Sequence, residues 1–241
     1  MTPHVIDENE WVIAVNKPAG LIVHSDGRTE EPNLADWILE KRPELSGIGE
    51  PWISPQGNVY PRPGIIHRLD RTTSGVILLA KTQSSFEFFK NEFRERRVEK
   101  EYIAIVHGHM NAEQGKIVAE IGRSRESPKH WFAEDCDEQN LRAAVTEWRV
   151  LKTGVETDSS AKYSTLLVAP RTGRTHQIRV HMAHIGHPLL ADHLYGKGSP
   201  NVFGCTRPAL HASRISVRML RGERFIFEAP PPSDLPPLSF L

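Results

Sequence analysis

At 241 residues the chain is long enough for one large domain or two small ones, with a sizeable core. Its 39% hydrophobic and 25% charged residues are ordinary for a soluble globular enzyme. Lys plus Arg and Asp plus Glu each number 30, so bulk charge excludes nothing but a purely electrostatic nucleic-acid binder. Any such partner must meet a local basic surface.

Cys136 and Cys205 fit no CxxC pattern, which argues against a disulfide framework or a thiolate metal site. The start, MTPHVIDENEW, is acidic and lacks the basic and apolar regions of a signal peptide. No apolar run approaches a bilayer span. These features predict a cytoplasmic protein with no membrane partner.

In chain order, WVIAV (11–15) reads as a buried strand closed by the NKPAG turn, with LIVH as its hairpin partner. Asn33 is the expected N-cap of a helix carrying Leu34, Trp37 and Ile38 on one face and Asp36 in its first turn. Residues 43–64 hold five prolines and four glycines, enough to predict a long loop. HRLDRTTSG (67–75) is a second loop, and VILLAKT after it is a strand. Ser84-Ser85-Phe86-Glu87 has the form of a capping box for a helix that places Phe86, Phe89 and Phe93 on one side.

The basic run RERRVEK (94–100) ends that helix, and YIAIVHG (102–108) is the next strand. A polar segment, 122–143, precedes the strands AVTEWRVL (144–151) and STLLVAP (164–170). RTGR (171–174) is a turn. THQIRVHMAHIG (175–186) reads as a helix with Ile178, Met182 and Ile185 on one face and Gly186 as its C-cap. The chain finishes with a strand at FIFE and a proline-rich tail. Strands that outnumber helices without strict alternation favour an α+β sheet.

Asp70 lies between Arg68 and Arg71. It reads either as a surface aspartate in an ion pair or Asx turn, or as a carboxylate kept ionised by cations for nucleophilic or charge-stabilising work. His181, His184 and His187, with Asp192 and His193 behind them, raise a metal hydrolase as a rival. Against it, Gly186 ends the helix before His187, and no HExxH or thiolate accompanies them. Tyr102 reads as a strand-edge aromatic, and Arg174 and Arg179 as a solvated helix face. However, Arg68, Arg71, Arg171, Arg174 and Arg179 crowd into two short stretches, with a tyrosine available to stack on a base.

HRLDRTTSG, EKEYIAIV and RTGRTHQIRVHMAHIGHPLLAD resemble the RluA-type pseudouridine synthase family. VNKPAGLIVH, AVTEWRVL, LHAS (210–213) and FEAPPPSDL agree in the same order, so the resemblance runs over nearly the whole chain. It covers the catalytic domain. Family members often carry an N-terminal S4 domain, for which too few residues precede VNKPAG. GRSRESPKHWFAE (122–134) departs from the family's usual basic run by bringing in His130, Trp131 and Phe132.

The resemblance implies an α+β pseudouridine synthase fold: a mixed, largely antiparallel sheet with flanking helices and a central basic cleft, in one catalytic domain over 1–241. It implies isomerisation of uridine in rRNA or tRNA to pseudouridine, without cofactor or metal, by a monomer that acts on RNA and not DNA. Asp70 is then the catalytic carboxylate, and Arg179 the arginine that pairs with it and keeps it ionised. Tyr102 stacks on the flipped base and helps remove the C5 proton, while Leu210 packs on the other side. Arg68 fills the vacated stack, and His67, Arg71 and Arg174 complete the substrate-binding set. A non-catalytic RNA-binding module and the metal hydrolase are the alternatives.

Overall fold

The computed structural model describes residues 2–25, 27, 30–123, 131–132, 141–199 and 202–235. The chain forms two compact units: residues 1–99 with 212–230, and residues 100–211 with 231–241.

The first unit is built on β1 (His4–Glu8), β2 (Val12–Lys17) and β5 (Ser74–Ala80), paired antiparallel in that order. Residues 212–218 of β11 (Leu210–Arg218) lie on the far side of β5 and pair antiparallel with β12 (Arg224–Glu228). The apolar runs of β2 and β5 follow from a sheet covered on both faces, because alternate residues point to opposite sides. On one face Val12, Ala14, Val76 and Leu78 pack with Phe89 of α2 (Gln83–Arg94) and with Ile215, Val217 and Phe227. On the other, Ile13, Val15, Ile77 and Leu79 pack with Leu34 and Ile38 of α1 (Leu34–Lys41). Each buried aliphatic side chain contributes about 1.5–3 kcal/mol.

Asn33 caps α1 as expected, in a reciprocal box with Asp36. The box of α2 starts two residues before the expected one: Thr82 is the N-cap and Ser85 its partner, so Ser84 and Glu87 do not form it. Two further expectations need correction. LIVH is no strand; only Ile22 makes an isolated bridge, to Asn33, because β5 already occupies the sheet position beside β2. The long loop 43–64 contains a 3-10 turn (Pro43–Leu45) and a hairpin of β3 (Trp52–Ile53) and β4 (Val59–Tyr60).

In the second unit β6 (Glu99–His107), β10 (Lys162–Pro170), β9 (Arg142–Val155), β7 (Gln114–Arg123) and β8 (Trp131–Phe132) follow one another antiparallel. The helix α3 (Gln177–His184) packs Ile178 and Met182 against Ala104, Val106, Leu166 and Val168. The fold is therefore α+β, with β1, β3, β4, β7, β8 and β11 added to the elements read from sequence. Residues 124–130 and 133–134 of the departing segment, and Cys136, lie outside the described residues.

Candidate active site

The Asp70 loop is braced from behind by the NKPAG turn. The Arg71 carbonyl accepts from the backbone N–H of Gly20 at 2.8 Å and from Lys17 Nζ at 3.3 Å. Lys17 is fully buried, and its ammonium also donates to the carbonyls of Pro18 and Leu21, each at 2.8 Å. A buried ammonium is tolerable only with such partners. Gly20 takes a φ of +88°, which the donor geometry needs and a side chain would oppose.

Behind the loop, the Thr73 N–H closes a turn onto the Asp70 carbonyl at 3.1 Å. Gly75 then enters β5 with φ +117°, where a Cβ would lie 2.1 Å from the Ala212 carbonyl oxygen. The loop is thus rigid on both sides. The Asp70 side chain is half-buried, and among the described residues of this unit no hydrogen bond or ion pair occupies its carboxylate.

Its neighbours divide into two kinds. Arg71 is engaged bidentate by Glu31, both contacts at 2.5 Å, and His67 accepts the Leu78 N–H at 2.9 Å through Nε2 while stacking on Phe93. Arg68 is exposed.

In the second unit, β6 carries Tyr102 opposite Val168, half-buried. Leu210, only 3% exposed, belongs to the apolar cluster against which Tyr102 packs. The structure therefore brings together two of the expected base-holding side chains.

Arg179 is buried, not on a solvated helix face. Its Nε and Nη2 donate to Asp192 Oδ2 and Oδ1 at 2.7 and 2.8 Å. Asp192 also accepts the N–H groups of Leu194 and Tyr195, and the Arg179 guanidinium lies 5.0 Å from the Tyr195 ring centroid. Tyr195 in turn bonds His176 Nδ1 at 2.8 Å, fixing a residue whose φ of 54° is left-handed. Asp192, singled out in the sequence only beside the histidines, and Tyr195, which the sequence reading did not single out, are the residues that hold Arg179.

Arg174 donates Nε to the Ala143 carbonyl at 3.3 Å, and its backbone N–H is held by Gln177 Oε1. Gln177 also bonds Thr172, Thr146 and the Val145 carbonyl, so it organises the whole RTGRTH turn. Arg171 is spent on Glu147, which holds that carboxyl below its usual range.

Two of these histidines take structural positions. His181 is buried between Thr146 Oγ1 and the Ala119 carbonyl, and burial pushes its pKa down. His187 Nδ1 faces the His107 carbonyl, whereas His184 is exposed. Among the described residues no group of three or more His, Cys, Asp or Glu side chains is placed to hold a metal ion.

A family model described as RNA pseudouridylate synthase matches residues 11–184, well over half of the chain. The chain belongs to this family.

Members similar to it include an uncharacterized RNA pseudouridine synthase of Synechocystis sp., 35% identical over 231 residues, which span 95% of this chain and 65% of that one. A ribosomal large subunit pseudouridine synthase D of Borreliella burgdorferi is 33% identical over 229 residues, or 94% and 65% of the two chains. The chain thus spans less than two thirds of the length of either. Among solved structures, Human RNA Pseudouridylate Synthase Domain Containing 1 superposes with a TM-score of 0.75 at 25% identity, covering 96% of this chain and 84% of its own. The pseudouridylate synthase match begins at Trp11, ahead of the Asp70 loop, and ends at His184, beyond Arg179.

Proposed function

We propose that this chain is an RNA pseudouridine synthase that isomerises uridine in structured RNA, rRNA before tRNA, with Asp70 as its catalytic carboxylate. The observation that carries the reading is the Asp70 loop: a half-buried carboxylate, unspent within its own unit, on backbone braced by Lys17, Gly20 and Gly75. A half-buried carboxylate on a braced loop stays available to a substrate, where one tied into the protein's own hydrogen bonds would not be.

The reaction breaks the N1–C1′ bond, turns the uracil and joins C5 to C1′; the proton lost from C5 balances the one gained at N1. Because the uracil leaves as an anion and is kept, one carboxylate suffices where a glycosidase uses two. Asp70 either attacks the sugar or takes a proton on the way to a glycal. Tyr102 stacks on the base and assists loss of the C5 proton, with Leu210 as apolar cover. Arg179, oriented by Asp192, is the buried cation of the site. Arg68, exposed in the same loop as Asp70, fills the gap left by the extruded base, whose removal costs a few kcal/mol.

The family match crosses both units, which supports treating them as one catalytic domain. Among the described residues no helix is long and apolar enough to cross a membrane, and the reading places the enzyme in the cytoplasm as a monomer.

The test is Asp70→Asn, assayed on unmodified large-subunit rRNA transcribed in vitro. RNA binding should persist while pseudouridine formation disappears. Turnover by the variant would sink the assignment, and a parent protein that binds RNA without converting uridine would favour the non-catalytic binding module.

A further inference from the structure

Arg62 precedes the Asp70 loop in the turn RPG and sits beside the hairpin of β3 and β4. Trp52 and Tyr60 pair across that hairpin, with ring centroids 5.3 Å apart. Close to them, a Cβ on Gly27 would meet the Tyr60 hydroxyl at 2.9 Å and Trp52 at 3.1 Å, so the aromatic pair is backed by glycine backbone. The Arg62 guanidinium lies over the Trp52 ring, Cζ 5.9 Å from the centroid. Its Nε is buried and, among the described residues, has no hydrogen-bond partner.

The nearby charge is the wrong one. No carboxylate among the described residues forms an ion pair with Arg62 or Arg68, and the two arginines repel each other. Burial first, and the Arg68 charge second, pull the Arg62 guanidinium below the usual arginine value.

A residue needed only to cover an indole ring would be better apolar, or paired with an acid. Desolvating one cation beside another is unfavourable unless an anion from outside the protein completes the site. Arginine's planar fork fits the paired oxygens of a phosphodiester, and its position on an aromatic face fixes its orientation. The neighbourhood favours a nucleic-acid backbone over a free acidic peptide, because aromatic rings and unpaired guanidiniums are the elements that hold single-stranded RNA.

We propose that Arg62, seated on Trp52 ahead of the Asp70 loop, forms a phosphate-binding subsite for the RNA strand that flanks the target uridine. The inference rests on the pseudouridine synthase reading, which makes RNA the substrate. It assigns Arg62 a job that the HRLDRTTSG loop alone does not reveal. Arg62 grips the backbone beside the position that Arg68 fills.

The experiment compares Arg62→Gln and Arg62→Lys with the parent on unmodified large-subunit rRNA transcribed in vitro. Affinity is measured from about 50 to about 200 mM salt, and thermal unfolding is measured without RNA. Arg62→Gln should bind about tenfold more weakly, with a salt slope smaller by about one. Its melting temperature should equal or exceed the parent's, because the repulsion from Arg68 is gone. Arg62→Lys should keep the slope and lose part of the affinity, since the charge stays and the planar fork does not.

Parent-like affinity and slope in Arg62→Gln, or weaker binding at an unchanged slope, would overturn the subsite. So would a parent that does not bind the RNA. Pseudouridine formation is scored in the same samples. An inactive parent that loses binding through Arg62→Gln refutes the enzyme reading and leaves the subsite standing. An active parent unaffected by the change does the reverse.

Discussion

Arg179 and Asp192 meet as a buried bidentate pair, Nε to Oδ2 at 2.7 Å and Nη2 to Oδ1 at 2.8 Å, with the Asp192 side chain fully shielded from solvent. Oδ1 carries two backbone N–H groups besides, so the carboxylate locks the arginine to the turn that follows it. The pair aims the guanidinium as well as neutralising it.

Asp192→Asn tests that relationship. An asparagine whose Oδ1 stays on the Leu194 and Tyr195 amides turns its NH₂ toward the Arg179 Nε–H, donor against donor. Breaking a buried pair typically costs about 3–5 kcal/mol, so the unfolding midpoint in denaturant should fall markedly. Pseudouridine formation should fall with it at temperatures where the variant is still folded. Parent-like stability would mean that the pair adds nothing beyond its hydrophobic surroundings.

Tyr102→Phe separates two jobs. The ring, which can stack on a base for about 1–3 kcal/mol, is kept, and only the hydroxyl is lost. RNA should bind normally, while tritium release from C5-labelled uridine slows by about 10²–10⁴-fold if the hydroxyl assists that proton transfer. Release at the parent rate would leave Tyr102 as a stacking platform alone.

Gly75→Ala probes the brace behind Asp70. The position combines φ +117° with a Cβ site 2.1 Å from the Ala212 carbonyl, so both backbone strain and a clash with main chain oppose the methyl group. The expected loss is about 3 kcal/mol or more, well above an ordinary Gly→Ala change. Soluble protein with a parent-like melting temperature would show that β5 and β11 can separate locally.

Stability should also depend on pH near neutrality. His181 and His107 both have pKa values pushed down by burial from 6.5, so the unfolded chain binds protons there before the folded chain does. Their contribution is complete above about pH 6.5 and is lost as pH falls toward the folded values. Asp234 and Glu147, held low by Arg207 and Arg171, act only in more acidic solution. Melting temperature should therefore decline between about pH 7 and pH 5, and His181→Gln should flatten that decline. A flat profile in the parent would mean that neither histidine is sensed.

Local pattern was enough for the helix capped by Asn33, for the buried strands VIAV and VILLA, and for the loop that carries Asp70. Each depends on neighbours within a few residues: a cap, a run covered on both faces, or glycines and cations in one short segment. The order of motifs along the chain also sufficed for the family, since spacing is a property of sequence. Tertiary structure decided what those residues meet. It moved the α2 box to Thr82 and gave β2 the partner β5 in place of LIVH, because pairing is settled by competition among distant strands. It seated Arg179 on Asp192, Lys17 on the Arg71 carbonyl and Arg62 on Trp52. Those contacts join residues beyond the reach of any one local pattern, and a burial cost or a missing counter-charge exists only once the chain has folded around them.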